Sequence, residues 1–183
     1  MKKIFLLLCL IFMMAFSYVQ AADSQKRWED PRHLKVYIQP GLERSEMMKH
    51  AFSEWSRLTK NKLVFYYTDS KQSANIDVVF VDKLATNFGQ AIGLTDCKYY
   101  QDNNYMYHAT IIIPAKAANG KTLTRDDVYT SMLHEIGHAI GIVNHSTNPH
   151  NIMYPLIDAK REITKYDLGE LYRIYGWDNV IRY

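Results

Sequence analysis

His134-Glu135-Ile136-Gly137-His138 brings two imidazoles and a carboxylate within five consecutive residues. On an α-helix, residues four apart lie about 40° apart in azimuth and about 6 Å apart in rise. Both imidazoles then leave one face and can converge on a single metal ion. Zinc accepts neutral imidazole nitrogen well and needs no redox partner. Glu135 sits about 100° round the helix, off the ligand axis but within reach of a water on the metal. Such a water is a nucleophile, and the glutamate is the base that takes its proton. A lone histidine is more often structural, whereas two at this spacing around a glutamate point to metal.

The residues that follow extend the pattern. Gly141 can take φ > 0 and end the helix, so the chain can turn back and bring a third histidine to the ion. Asn144, His145 and Ser146 come next, and Met153-Tyr154-Pro155 reads as a tight methionine turn. The combination resembles the metzincin metallopeptidases, whose signature is HExxHxxGxxH followed by a Met-turn. His145-Ser146 with Met153 eight residues on is similar to the matrixin branch. The resemblance implies one catalytic zinc held by His134, His138 and His145, Glu135 as general base, and Met153 beneath the metal.

One departure stands in the motif. Counted from Gly141, the family's third histidine falls at residue 144, which here is asparagine, and His145 comes one position late. Its spacing to Met153 is the matrixin one, which puts the extra residue between Gly141 and His145. Imidazole is a far better zinc ligand than an amide oxygen. His145 is therefore taken as the ligand and Asn144 as a loop residue, with the reverse left as the alternative.

The elements that must position these groups are legible from periodicity. Leu34, Val36 and Ile38 alternate with polar neighbours as in a half-buried strand. Met48, Ala51, Phe52, Trp55 and Leu58 recur at helical spacing within Glu43 to Thr59. Leu63 to Tyr67, Ile76 to Val81 and Tyr105 to Ile113 read as strands, the last closed by Pro114, with a further strand around Ala91 to Thr95. Thr124-Arg125-Asp126-Asp127 opens the motif helix as a capping box. There Tyr129, Met132, Ile136, Ala139 and Ile140 form an apolar stripe away from the histidines. Thr164 to Asp167 opens a last helix that buries Leu168, Leu171, Tyr172 and Tyr175 and stops at Gly176. This order predicts an α+β, metzincin-like single domain: a twisted mixed sheet, three main helices and a Met-turn. The matrixin resemblance runs over about residues 34 to 176.

The 183 residues suffice for one domain with a full core. Lys2 and Lys3, the apolar run Ile4 to Phe16, and the small residues near Ala21 read as a secretory signal peptide over 1–21, too short to span a membrane. Residues 22–32 read as a short N-terminal extension or pro-segment, and 33–183 as the catalytic domain. Removing the signal peptide takes two of 22 basic residues and none of 19 acidic ones, leaving a net charge of +1. That gives no reason to expect nucleic acid or a membrane as partner. Cys97 is the one cysteine left, so no intrachain disulfide forms, and it reads as a plain, partly buried thiol. Vertebrate-type matrixins also carry a structural zinc and calcium; His108 has no clear companion histidines here, and Asp96, Asp102, Asn103 and Asn104 read equally well as turn formers, so neither is expected. The expectation is thus a secreted or periplasmic, monomeric zinc metalloendopeptidase acting on protein or peptide. The alternative is a non-catalytic, zinc-containing secreted binding protein of the same fold.

Overall fold

A computed structural model of the chain describes residues 25–40, 43–84, 92–117, 119–156 and 160–177; the signal-peptide reading of 1–21 lies outside them. Among the described residues there are six strands and three α-helices. They are β1 (Arg27–Trp28), β2 (Leu34–Ile38), α1 (Glu43–Leu58), β3 (Phe65–Tyr67), β4 (Ile76–Lys83), β5 (Leu94–Tyr99), β6 (Tyr105–Lys116), α2 (Arg125–Ala139) and α3 (Lys165–Tyr175).

The strands form one mixed sheet in the order β3-β2-β4-β6, with β1 parallel to the start of β6 and β5 antiparallel along it. All other pairings are parallel. The period-two alternation sends Leu34 and Val36, Ile76 and Val78, and Ala109, Ile111 and Ile113 into the core, all at 1% exposure or less. Against that face α1 lays Met48, Ala51, Phe52 and Trp55, and α2 lays Met132, Ile136 and Ala139. At about 25 cal/mol per Å² of apolar surface this layer is the main favourable term of the fold. Trp55 ties the two helices together, its indole N–H donating to Leu133 O at 3.0 Å.

Three local expectations shift. The edge strand runs Leu94–Tyr99 rather than around Ala91 to Thr95, with Ala91 outside the described residues. Its residues pair with Met106 to Ile112 rather than following an apolar alternation of their own. β6 passes through Pro114 to Lys116, because Pro114 lies beyond the last pair with β5, where its missing N–H breaks no ladder bond to that strand. On α3 the buried apolar residues are Leu171, Tyr172 and Ile174, while Leu168 and Tyr175 are half-buried. Its cap matches the expectation: Thr164 and Asp167 form the box, and Gly176 at φ 63° closes the end.

Part of the 22–32 segment is built into the sheet. Trp28 is 3% exposed, and its indole donates to Ala139 O at 2.8 Å, at the end of the motif helix. Among the described residues, no helix is long and apolar enough to cross a membrane.

Candidate metal centre

The motif occupies the last turns of α2, whose start is fixed by reciprocal hydrogen bonds between Thr124 and Asp127. Its end is a Schellman turn. Gly141 N–H donates to His138 O and Ile142 N–H to Gly137 O, both at 3.0 Å, with Gly141 at φ 116°. A side chain at Gly141 would also press on Lys26 O, 2.8 Å from where its Cβ would stand. The turn aims Ile142 O back at the helix, where it accepts from His138 Nδ1 at 2.7 Å. His134 Nδ1 donates to Ile152 O, also at 2.7 Å.

These two bonds fix the tautomers. With each Nδ1 donating, the Nε2 lone pairs of His134 and His138 face each other at 3.1 Å, and His145 Nε2 lies 3.2 Å from His138 Nε2. Lone pairs at such separations repel unless a cation lies among them. Tetrahedral ligands at about 2.0–2.1 Å from zinc stand about 3.3–3.4 Å apart, so the three nitrogens fit such an ion. Burial holds the His134 and His138 imidazoles down at about 4, keeping them in the neutral, metal-binding form. Among the described residues this trio is the one group of three or more such side chains able to share a metal. Asn144, beside it in sequence, is exposed.

Glu135 is 5% exposed, and burial raises its carboxyl to about 7 against the opposing hydrogen bond from Thr95. The Thr95 hydroxyl lies 2.6 Å from Glu135 Oε2 and 3.0 Å from its backbone oxygen. Gly93 faces the same carboxylate; a Cβ there would collide with Glu135 Oε1 and come within 2.6 Å of Ser131 Oγ. Neither Gly93 nor Thr95 was marked by the motif, because their link to Glu135 is made across 40 residues or more of chain.

Met153 is 2% exposed and packs on the motif helix, with its sulfur where a Cβ on Gly137 would be. Gly137 is therefore the one motif residue whose missing side chain makes room for the turn. Asp167 holds that turn from below. Its carboxylate accepts from Ile152 N–H at 3.2 Å and Met153 N–H at 3.3 Å while also capping α3 through Thr164 N–H at 2.8 Å. Sequence reading gave Asp167 only its capping role.

The histidines and Glu135 line a cleft of about 710 Å³ that also takes in β5 residues, Val143, Pro155 and Leu156. Arg161 pins the Leu156 side, donating to Leu156 O at 2.5 Å and Pro149 O at 2.6 Å. Cys97 lines the cleft with its thiol toward His138 O, and burial pushes it up to about 12.

The overall structure is similar to two solved structures of myroilysin. One is 15% identical, covers 84% of this chain and 83% of that chain, and superposes with a TM-score of 0.49. The other is 12% identical, with 82% and 86% covered and a TM-score of 0.46. No curated protein matches the sequence. The sequence does match the matrixin family of peptidases over residues 34–176. Because the match runs from the first residue of β2 to the glycine capping α3, well beyond the motif, the chain belongs to the matrixin family of metallopeptidases.

Proposed function

We propose that the chain is a secreted zinc endopeptidase, with His134, His138 and His145 holding one zinc ion through Nε2 and Glu135 acting as general base. The observation that carries this reading is the convergence of three imidazole nitrogens beside a buried carboxylate in one open cleft. When bound, zinc supplies Lewis acidity toward a peptide carbonyl and toward the attacking water. Glu135 takes the proton of that water and passes it to the leaving nitrogen, so the C–N bond breaks to an acid and an amine. The Thr95 hydroxyl steadies one carboxylate oxygen through this exchange.

An extended substrate is received on β5, whose one strand partner among the described residues is β6. An unpaired strand edge offers backbone N–H and C=O groups to a peptide. Pro155 and Leu156 form a wall for the side chain after the scissile bond; residues 157–159 of that wall lie outside the described residues. Residues 1–21 serve as the signal peptide, and the mature chain acts as a monomer. The test is digestion of a peptide library by the zinc-loaded chain beginning at Ala22. Cleavage that a chelator abolishes and zinc restores is expected; a folded, zinc-loaded chain that cleaves no peptide would sink the proposal.

A further inference from the structure

Among the described residues, and apart from Glu135 and the histidines, the cleft is lined by apolar and uncharged residues and one cation, Lys26. Lys26 Nζ stands 3.7 Å from the centroid of the Tyr99 ring, and Tyr99 is itself part of the cleft wall. A ring face holds an ammonium group in place without neutralising it. None of the ion pairs among the described residues involves Lys26. Asp96 and Lys98, which alternate with Cys97 and Tyr99 along β5, do not line the cleft. The cation is therefore held by the ring, has no ion-pair partner among the described residues, and lines this end of the cleft.

Its distance from the reacting groups follows from the strand. Thr95 contacts Glu135, and Tyr99 lies four residues farther along β5, about 13 Å at about 3.3 Å per residue. The backbone of Lys26 packs on Gly141, past the end of α2, whereas Leu156 is tied through Arg161 to Thr130 in the first half of that helix. Gly141 lies eleven residues beyond Thr130, nine of them within α2, a helical rise of about 14 Å between the two anchor points. Lys26 and the Pro155–Leu156 wall thus stand at opposite ends of one cleft.

We propose that Lys26, held by Tyr99, is a specificity subsite for an acidic side chain three or four residues before the scissile bond. The assignment of the side rests on the peptidase reading, in which Pro155 and Leu156 receive the residue after that bond. The recognised class is an extended peptide with aspartate or glutamate upstream of an otherwise apolar segment.

Two measurements on the zinc-loaded protein separate this claim from the reading beneath it. The first is binding of fluorescent peptides, carrying one glutamate scanned through successive positions or glutamine as control, to the zinc-loaded Glu135→Ala chain. One position is expected to bind about fivefold tighter with glutamate than with glutamine, and Lys26→Glu should reverse the preference toward lysine at that position. The second is cleavage of the same peptides by the zinc-loaded chain with Glu135 intact, expected three or four residues after the preferred glutamate. Position-dependent binding without cleavage would leave the subsite standing and remove the peptidase reading. Binding indifferent to glutamate at every position, or a profile that Lys26→Glu leaves unchanged, would overturn the subsite.

Discussion

Gly93 and Glu135 share a space that admits no additional atom: a Cβ on Gly93 would overlap Glu135 Oε1. The carboxylate is thus held between the Thr95 hydroxyl on one oxygen and bare backbone at the other. Gly93→Ala should swing the carboxylate out of place while leaving the three imidazoles where they are. Displacement of a reacting group by about 1 Å costs on the order of a hundredfold in rate. Peptidase kcat falling to that extent with zinc content unchanged is the expected outcome, and an undiminished kcat would refute the packing argument.

Asp167 couples two structures that sequence alone leaves separate. Its carboxylate caps α3 and takes the Ile152 and Met153 amides, and Ile152 O in turn takes His134 Nδ1–H. Asp167→Ala removes a helix cap, at about 1 kcal/mol, and orphans buried amides at about 1–3 kcal/mol each. Denaturant unfolding should show a loss of about 3–7 kcal/mol together with weaker zinc binding. A variant that loses stability as predicted but binds zinc as tightly as before would break the link to His134.

Trp28 tests whether the segment before His33 belongs to the fold. It is 3% exposed and bonded to Ala139 O. Trp28→Ala should cost about 3–5 kcal/mol of stability, and a chain beginning at His33 should lose at least as much. Equal unfolding midpoints for the chains beginning at Ala22 and at His33 would show that segment to be dispensable.

The extra residue in the motif gives a paired test. His145 Nε2 stands 3.2 Å from His138 Nε2, whereas Asn144 does not line the cleft that holds the three histidines. Zinc titration of His145→Ala should show affinity lowered by orders of magnitude, and Asn144→Ala should titrate like the unaltered chain. Zinc lost with Asn144 and retained without His145 would reverse the assignment.

How far the sequence reached depended on whether a signal was local. Both capping boxes, the Gly141 and Gly176 stops and the alternation in β2 lie within a few residues of what they determine. They were readable for that reason. The edge strand escapes periodicity because Leu94-Thr95-Asp96-Cys97-Lys98-Tyr99 carries no clear apolar period; its pairing comes from β6. The same limit hid Gly93, Thr95 and the second role of Asp167, each defined by a partner 14 or more residues away. Trp28 leaves no periodic signal, because one aromatic in a short polar stretch has no period, although its contacts are with α2 and α3.

The proposed peptidase chemistry requires Glu135 to be a base and not a ligand. It lies between His134 and His138 in sequence, yet its carboxylate bonds to Thr95 and is not part of the imidazole trio. The direct measurement is zinc stoichiometry and peptide turnover of Glu135→Ala beside the unaltered chain. One zinc per chain in both, with turnover lower by a factor of about 10³ or more in the variant, is the predicted result. Turnover that persists in the zinc-loaded variant would contradict it.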